Sequence, residues 1–286
     1  MYIAWLAVAS SALLILLIVG SVLDLKISSA MFNEDNVFSI FFEVIAKIPA
    51  LLIASCCCII LFQCACAKQQ NKHWKRFLCV VYAAVGVALA TYAFLDGFDL
   101  LFDKKLFALV GAFVVGALAF GGLFLLSRKA RMQEYDRYKK WAVYYLLTLV
   151  VIMLVTLLLK LIWGRARFLD VKNDGASFSD WYKLVRVGGD SMPSGHTAMA
   201  CCLFMLVPLT KINPKWGESA YWIRLWSATF VGLTMLARLC GGYHYLSDVT
   251  ISAIVCFAII MTSNIIFFGK KGDKLSFNQN KFWDKI

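Results

Sequence analysis

Residues 141–167, WAVYYLLTLVVIMLVTLLLKLIWGRAR, decide the fold class. Between Trp141 and Trp163 only Lys160 carries a charge. At about 1.5 Å per residue, such a helix crosses the roughly 30 Å hydrocarbon core of a bilayer. Tryptophan stands at both ends, where interfacial anchors belong, and Trp74, Trp216 and Trp222 lie near the ends of other apolar runs. Working outward, seven further apolar stretches follow the same pattern, at 2–23, 41–67, 77–95, 106–126, 195–210, 222–242 and 249–269. With 61% hydrophobic residues and a mean hydropathy of +0.74, the 286-residue chain holds more apolar surface than one soluble core can bury. The expected fold is all-α: a polytopic membrane helix bundle of about eight transmembrane helices.

The first stretch reads as a retained helix rather than a cleaved signal. No basic residue precedes Lys26, and the small residues Ala9 and Ser10 lie inside the apolar run instead of after it. Residues 24–40 read either as a short interfacial helix, through Leu25, Ile27, Met31 and Phe32, or as an ordinary loop. No repeat or linker divides the chain. Residues 1–127 are expected to form a transmembrane scaffold of about four spans without recognisable chemistry. Residues 128–286 hold spans five to eight, all the chemical clusters and a basic tail.

A net charge of +12 would point a soluble protein toward nucleic acid; here the charge is distributed by topology. Segments 68–76, 127–140, 211–224 and 270–286 hold 18 of the 29 Lys and Arg residues and 5 of the 17 acids. The positive-inside bias puts those segments and both termini in the cytoplasm of a plasma membrane. The intervening loops, including 164–192 as a rim or lid, then face outward. Nine of the ten cysteines, all but Cys240, lie in or beside apolar spans and read as packing residues, so neither a disulfide framework nor a metal site is expected.

Three clusters sit at the outward ends of the last four spans. Lys160 and Arg167 are seven residues apart, two helical turns, so both can face one anion. Each cation alone reads equally as a side chain snorkelling to the headgroups. Pro193, Ser194, Gly195 and His196 open the sixth span, where a serine cap and a glycine leave N–H groups for phosphate oxygens and His196 can deliver a proton. Such a helix start is also commonplace in structural roles. Arg238 precedes His244 and Asp248; at a spacing of four, the carboxylate can take the imidazole Nδ1 proton and leave Nε2 as a nucleophile, or the two form an incidental helix pair. Jointly, five cationic or potentially cationic residues at one membrane face call for an anion.

Together these residues resemble the type 2 phosphatidic acid phosphatase superfamily, which includes bacterial lipid phosphatases and glucose-6-phosphatase and shares its site with vanadium haloperoxidases. The family pattern is Lys, six residues, Arg, Pro; then Pro, Ser, Gly, His; then Ser, Arg, five residues, His, three residues, Asp. Lys160, Arg167, Pro193 to His196, Arg238, His244 and Asp248 match, whereas Phe168 replaces the first Pro and Ala237 the third motif's Ser. The resemblance covers about residues 155–265. It implies His244 as nucleophile, Asp248 as its orienting acid and His196 as the proton donor and later the base. Lys160, Arg167, Arg238, Ser194 and the Gly195 N–H are implied to hold phosphate, with no metal or other cofactor.

The implied reaction is hydrolysis of a lipid phosphate or diphosphate, such as undecaprenyl pyrophosphate, phosphatidylglycerol phosphate or phosphatidic acid, at the extracytoplasmic face. The bilayer and its lipid are the expected partners, with no nucleic acid. The alternatives are a lipid phosphotransferase using the same intermediate, or a lipid-binding or transport protein without catalysis. No sequence signal bears on oligomeric state.

Overall fold

The computed structural model describes residues 2–68, 71–130, 132–185 and 188–269; the expected basic tail, 270–286, lies outside them. The described chain is all-α, without a strand, and contains eight helical stretches long and apolar enough to cross a membrane, as an integral membrane protein requires. In order they are built from α1 (Tyr2–Met31), α2 (Val37–Ile45) with α3 (Ile48–Lys68), α4 (Lys72–Leu101), α5 (Lys105–Ser127), α6 (Met132–Trp163), the one-turn α7 (Phe168–Asn173), α8 (Gly195–Cys201) with α9 (Leu209–Ile212), α10 (Ala220–Cys240) and α11 (Leu246–Phe268). Leu118, Leu158 and Leu161 point outward from their helices, an apolar exterior suited to lipid.

The 24–40 region corrects one expectation. α1 continues through Asp24 to Met31, and a second helix begins after Asn36, whose side chain accepts from the Ser39 N–H at 3.0 Å. The hydropathy run breaks at Asp24 because a lone carboxylate is costly in lipid, yet this one faces inward. Gly20, Asp24 and Ser28, four residues apart and all buried, form the stripe that α1 lays on α11. A Cβ at Gly20 would stand 2.9 Å from the Ser247 backbone nitrogen, so only glycine lets the two helices come this close.

The sixth span is short in residues because it is not one α-helix. After α8 the chain tightens into a 3-10 stretch, Cys202–Leu206, and Pro208 starts the last turn. A 3-10 stretch rises about 2.0 Å per residue, which lengthens a short span. The core lies between α3, α6, α8 and α11. There the Trp141 Nε1–H donates to the Met205 carbonyl at 2.8 Å and the Tyr145 hydroxyl to the Ala50 carbonyl at 3.0 Å. Residues 1–127 thus pack directly onto the helices that carry the motifs.

Candidate active site

Helices α2, α4, α6, α8 and α10, with the α2–α3 kink and the turns before α7 and α11, converge on a cavity of about 310 Å³. Lys160, Arg167, Gly195, His196, Arg238 and His244 line it, as do Glu43, Lys47 and Tyr92 from the front half. Ile152, Met153, Leu157 and Met199 form an apolar wall, and Met153 and Leu157 reach the outer surface of α6.

Lys160 and Arg167 meet as expected, but not on one helix. Gly164, at φ 59°, ends α6 in the left-handed conformation, and Arg167 caps the start of α7. Both cations turn to Asp190. Its carboxylate takes the Arg167 Nη2 hydrogen at 2.7 Å and lies 2.7 Å from Nε as an ion pair, and its backbone carbonyl takes the Lys160 ammonium at 2.6 Å. Burial alone would raise the Asp190 pKa. The Arg167 hydrogen bond and the Lys160 charge outweigh it and hold the carboxyl below its ordinary 3.8. Phe168, in place of the family proline, is buried at the head of α7 against Phe32 and Tyr245, with ring centroids 5.5 and 6.3 Å away.

His244 stands in the turn between α10 and α11 rather than on a helix, because α11 starts only at Leu246. The expected pairing with Asp248 is therefore not made. The His244 Nδ1–H donates instead to the Ser191 carbonyl at 2.5 Å. A carbonyl only accepts, so Nδ1 carries the proton and Nε2 keeps its lone pair. Burial pushes this imidazole well below its ordinary 6.5, and the charges of Arg238, Lys160 and Arg167 push the same way.

Asp248 acts one step back. It accepts from the Ser191 hydroxyl at 2.6 Å and the Tyr245 N–H at 2.9 Å, so it fixes the residues on either side of the His244 bond. Its other oxygen takes Arg165 at 2.6 Å. Arg165, fully buried, also reaches the Ser179 carbonyl and the Ser247 hydroxyl at 2.8 Å each and Asp24 of α1 at 3.0 Å, with its guanidinium 4.2 Å from the Tyr245 ring centroid.

Ser194 also departs from the expected role. It is fully buried and accepts from the Thr197 N–H at 3.4 Å and the Thr197 hydroxyl at 3.1 Å. It caps α8, while Gly195 lines the cavity with nothing within 4 Å of where a Cβ would stand. His196, in the first turn of α8, has Nε2 3.2 Å from Asp96 of α4. Lys47, in the kink between α2 and α3, pairs with that same carboxylate oxygen and lies 4.3 Å over the Tyr92 ring.

Arg238 stacks on Tyr243 at 4.0 Å and lies 3.8 Å from Glu43. Its Nε and Nη1 are buried without a hydrogen-bond partner among the described residues. Ala237, where the family has serine, is fully buried.

The structure thus gathers His244, His196, Lys160, Arg167, Gly195 and Arg238 around one space and sets Asp248 and Ser194 behind it. Sequence reasoning missed Asp24, Glu43, Lys47, Asp96, Arg165, Asp190 and Ser191. A signal existed for several of them: an ionisable residue inside or at the edge of an apolar stretch is a functional candidate by default, and Asp24, Glu43, Lys47 and Asp96 all qualify.

A membrane-embedded cavity that joins an unprotonated imidazole nitrogen to several cations is chemically suited to a phosphate group. Residues 141–271 match the sequence model of the PAP2 superfamily, while comparison with curated proteins and with solved structures gave no match. The match supports membership of the PAP2 superfamily for this C-terminal part and, with it, a phosphatase-type hydrolase acting on phosphate-containing substrates.

Proposed function

We propose that the protein is a membrane phosphatase that hydrolyses a lipid phosphate or diphosphate through a phosphohistidine on His244, without a metal cofactor. The observation that carries this reading is the shared cavity: His244 offers Nε2 beside Arg238, whose buried Nε and Nη1 have no hydrogen-bond partner among the described residues. Lys160, Arg167 and Lys47 add the charge stabilisation that a metal supplies elsewhere. The wall of Ile152, Met153, Leu157 and Met199 supports an acyl or prenyl chain entering from the bilayer side.

In the first step the Nε2 lone pair forms an N–P bond. The P–O bond breaks with its electron pair on the leaving oxygen, and His196 gives that oxygen a proton. Water then attacks phosphorus, its proton passes to His196, and the N–P electrons return to Nε2. Lys160, Arg167, Arg238 and the Gly195 N–H hold the nonbridging oxygens in both steps. Asp248 and Ser191 keep the imidazole ring in place. The concentration of Lys and Arg in the segments at the opposite helix ends supports an extracytoplasmic site with cytoplasmic termini.

Rapid quenching of purified protein with a lipid labelled at its terminal phosphate tests the reading. An acid-labile, alkali-stable labelled histidine is expected, with EDTA present, and His244→Ala is expected to lose both the label and roughly 10³-fold or more of the turnover. Full phosphate release by His244→Ala removes the nucleophile assignment. Label moving to an added alcohol rather than to water makes the protein a phosphotransferase.

A further inference from the structure

Asp96 lies outside the segment that matches the PAP2 superfamily and belongs to none of its motifs, yet its carboxylate meets the histidine that must handle protons. Its position is fixed from two sides. Lys47 pairs with the oxygen that faces His196, and Tyr92, one turn earlier on α4, holds the Lys47 ammonium over its ring. Lys47, Asp96 and His196 therefore form a continuous chain from the α2–α3 kink to the cavity. A buried lysine beside the carboxylate supplies its counter-charge, and a carboxylate at hydrogen-bond distance accepts the Nε2–H of the imidazole. With Nε2 on Asp96, Nδ1 is the nitrogen left to exchange a proton within the cavity.

The other charges around His196 act the opposite way. Arg238 from α10 adds positive charge, as does Lys47 itself, and Lys160 and Arg167 line the same cavity. Glu43 of α2 is turned to Arg238, and His244 faces the cavity as a neutral ring. Among these groups Asp96 is the one carboxylate in direct contact with the ring among the described residues.

We propose that Asp96 is the positioning residue of the proton-transfer step: it holds His196 as a proton donor in a cavity whose cations would otherwise strip that proton. This rests on the phosphatase reading above. In the first half-reaction the His196 proton goes to the leaving oxygen as the P–O electron pair arrives there. In the second, the attacking water returns a proton to His196, which Asp96 again stabilises.

Leaving groups test the idea. Nitrophenolate departs without a proton, whereas an alkyl alkoxide requires one, so p-nitrophenyl phosphate and dodecyl phosphate report on the same site with and without need of His196 as acid. Asp96→Asn is expected to lower kcat/KM, which reports the leaving-group step alone, roughly tenfold or more on dodecyl phosphate. The loss on p-nitrophenyl phosphate should be several times smaller, and the alkaline limb of the dodecyl phosphate profile should move down by about one pH unit. The ratio of the two rates in one sample is independent of how much of the variant is folded. If Asp96→Asn yields no folded protein, Asp96→Glu carries the test, with a smaller change of that ratio in the same direction.

Equal loss on both substrates, or an alkaline limb that does not move, overturns the proposal while leaving the phosphatase reading intact. A wild type that releases phosphate from neither substrate, nor from a lipid phosphate, removes the reading itself and the inference with it.

Discussion

His244 and His196 share one cavity but are held by opposite kinds of partner. His244 gives its Nδ1–H to a backbone carbonyl, that of Ser191, and is surrounded by Arg238, Lys160 and Arg167. His196 has a carboxylate, Asp96, at its Nε2. The first setting disfavours a proton on the ring and leaves a lone pair for attack; the second sets an acceptor carboxylate against the ring. In the proposed mechanism these neighbours sort two copies of one side chain into nucleophile and acid. The division also follows the chain. His244 and its cations come from the second half, whereas the acid on His196 comes from α4 in the first.

The support behind His244 crosses that division too, and breaking it is the largest perturbation of the comparison. Asp24 on α1 pairs with Arg165, which pairs with Asp248, which holds the Ser191 hydroxyl and, through that residue, the carbonyl on His244. Asp24→Asn leaves the buried guanidinium with one anionic partner instead of two. Removing a partner from a buried ion pair costs about 3 kcal/mol or more, and the surviving Asp248 contact puts this case at the low end. The expected outcome is a marked fall in melting temperature in detergent, together with loss of turnover, while the dodecyl to p-nitrophenyl rate ratio stays at its wild-type value. A changed ratio would mean that Asp24 reaches the His196 side as well.

A smaller effect comes from pH. The folded His244 imidazole has a pKa well below 6.5, and the unfolded one titrates near 6.5. Between those values the unfolded chain binds more protons, so stability rises with pH across the window and is fully present above about 6.5. As pH falls from there toward the folded value, this contribution is lost. His244→Asn, which cannot titrate, should flatten that part of the melting-temperature profile. An unchanged slope would place its origin elsewhere.

The eight spans could be read in the sequence because hydropathy reports the outside of a membrane helix directly. The cations were readable because seven residues after Lys160, and six before His244, an arginine stands at a span end. What the pattern could not show was partner choice. A spacing of four suggested that Asp248 would reach His244, but α11 begins after His244, and the imidazole turns to Ser191 instead. Ser194 looked available to phosphate until burial committed it to capping Thr197. Asp24, Lys47 and Asp96 were passed over because each lies far along the chain from its partner, and only the packing of α1, the α2–α3 kink and α4 brings Asp24 to Arg165, Lys47 to Asp96 and Asp96 to His196.

Asp190 sharpens the comparison by supplying a third kind of acid. Asp24 and Asp96 are permanent partners from the first half, whereas Asp190 belongs to the loop before α8, and its side chain is 53% exposed. It stays ionised down to low pH and takes the Arg167 Nη2 hydrogen where, in the proposed function, a phosphate would bind. On that reading, substrate displaces it. Asp190→Asn keeps the shape and the Lys160 contact to the backbone carbonyl but removes the competing charge. An exposed pair of this kind is worth about 0.5–1 kcal/mol after solvent screening, so KM for a phosphomonoester and Ki for inorganic phosphate should fall roughly two- to fivefold with kcat little changed. A rise in KM would show that Asp190 instead preorganises Arg167, and the loop acid would then join Asp24 as a structural partner rather than stand apart as a displaceable one.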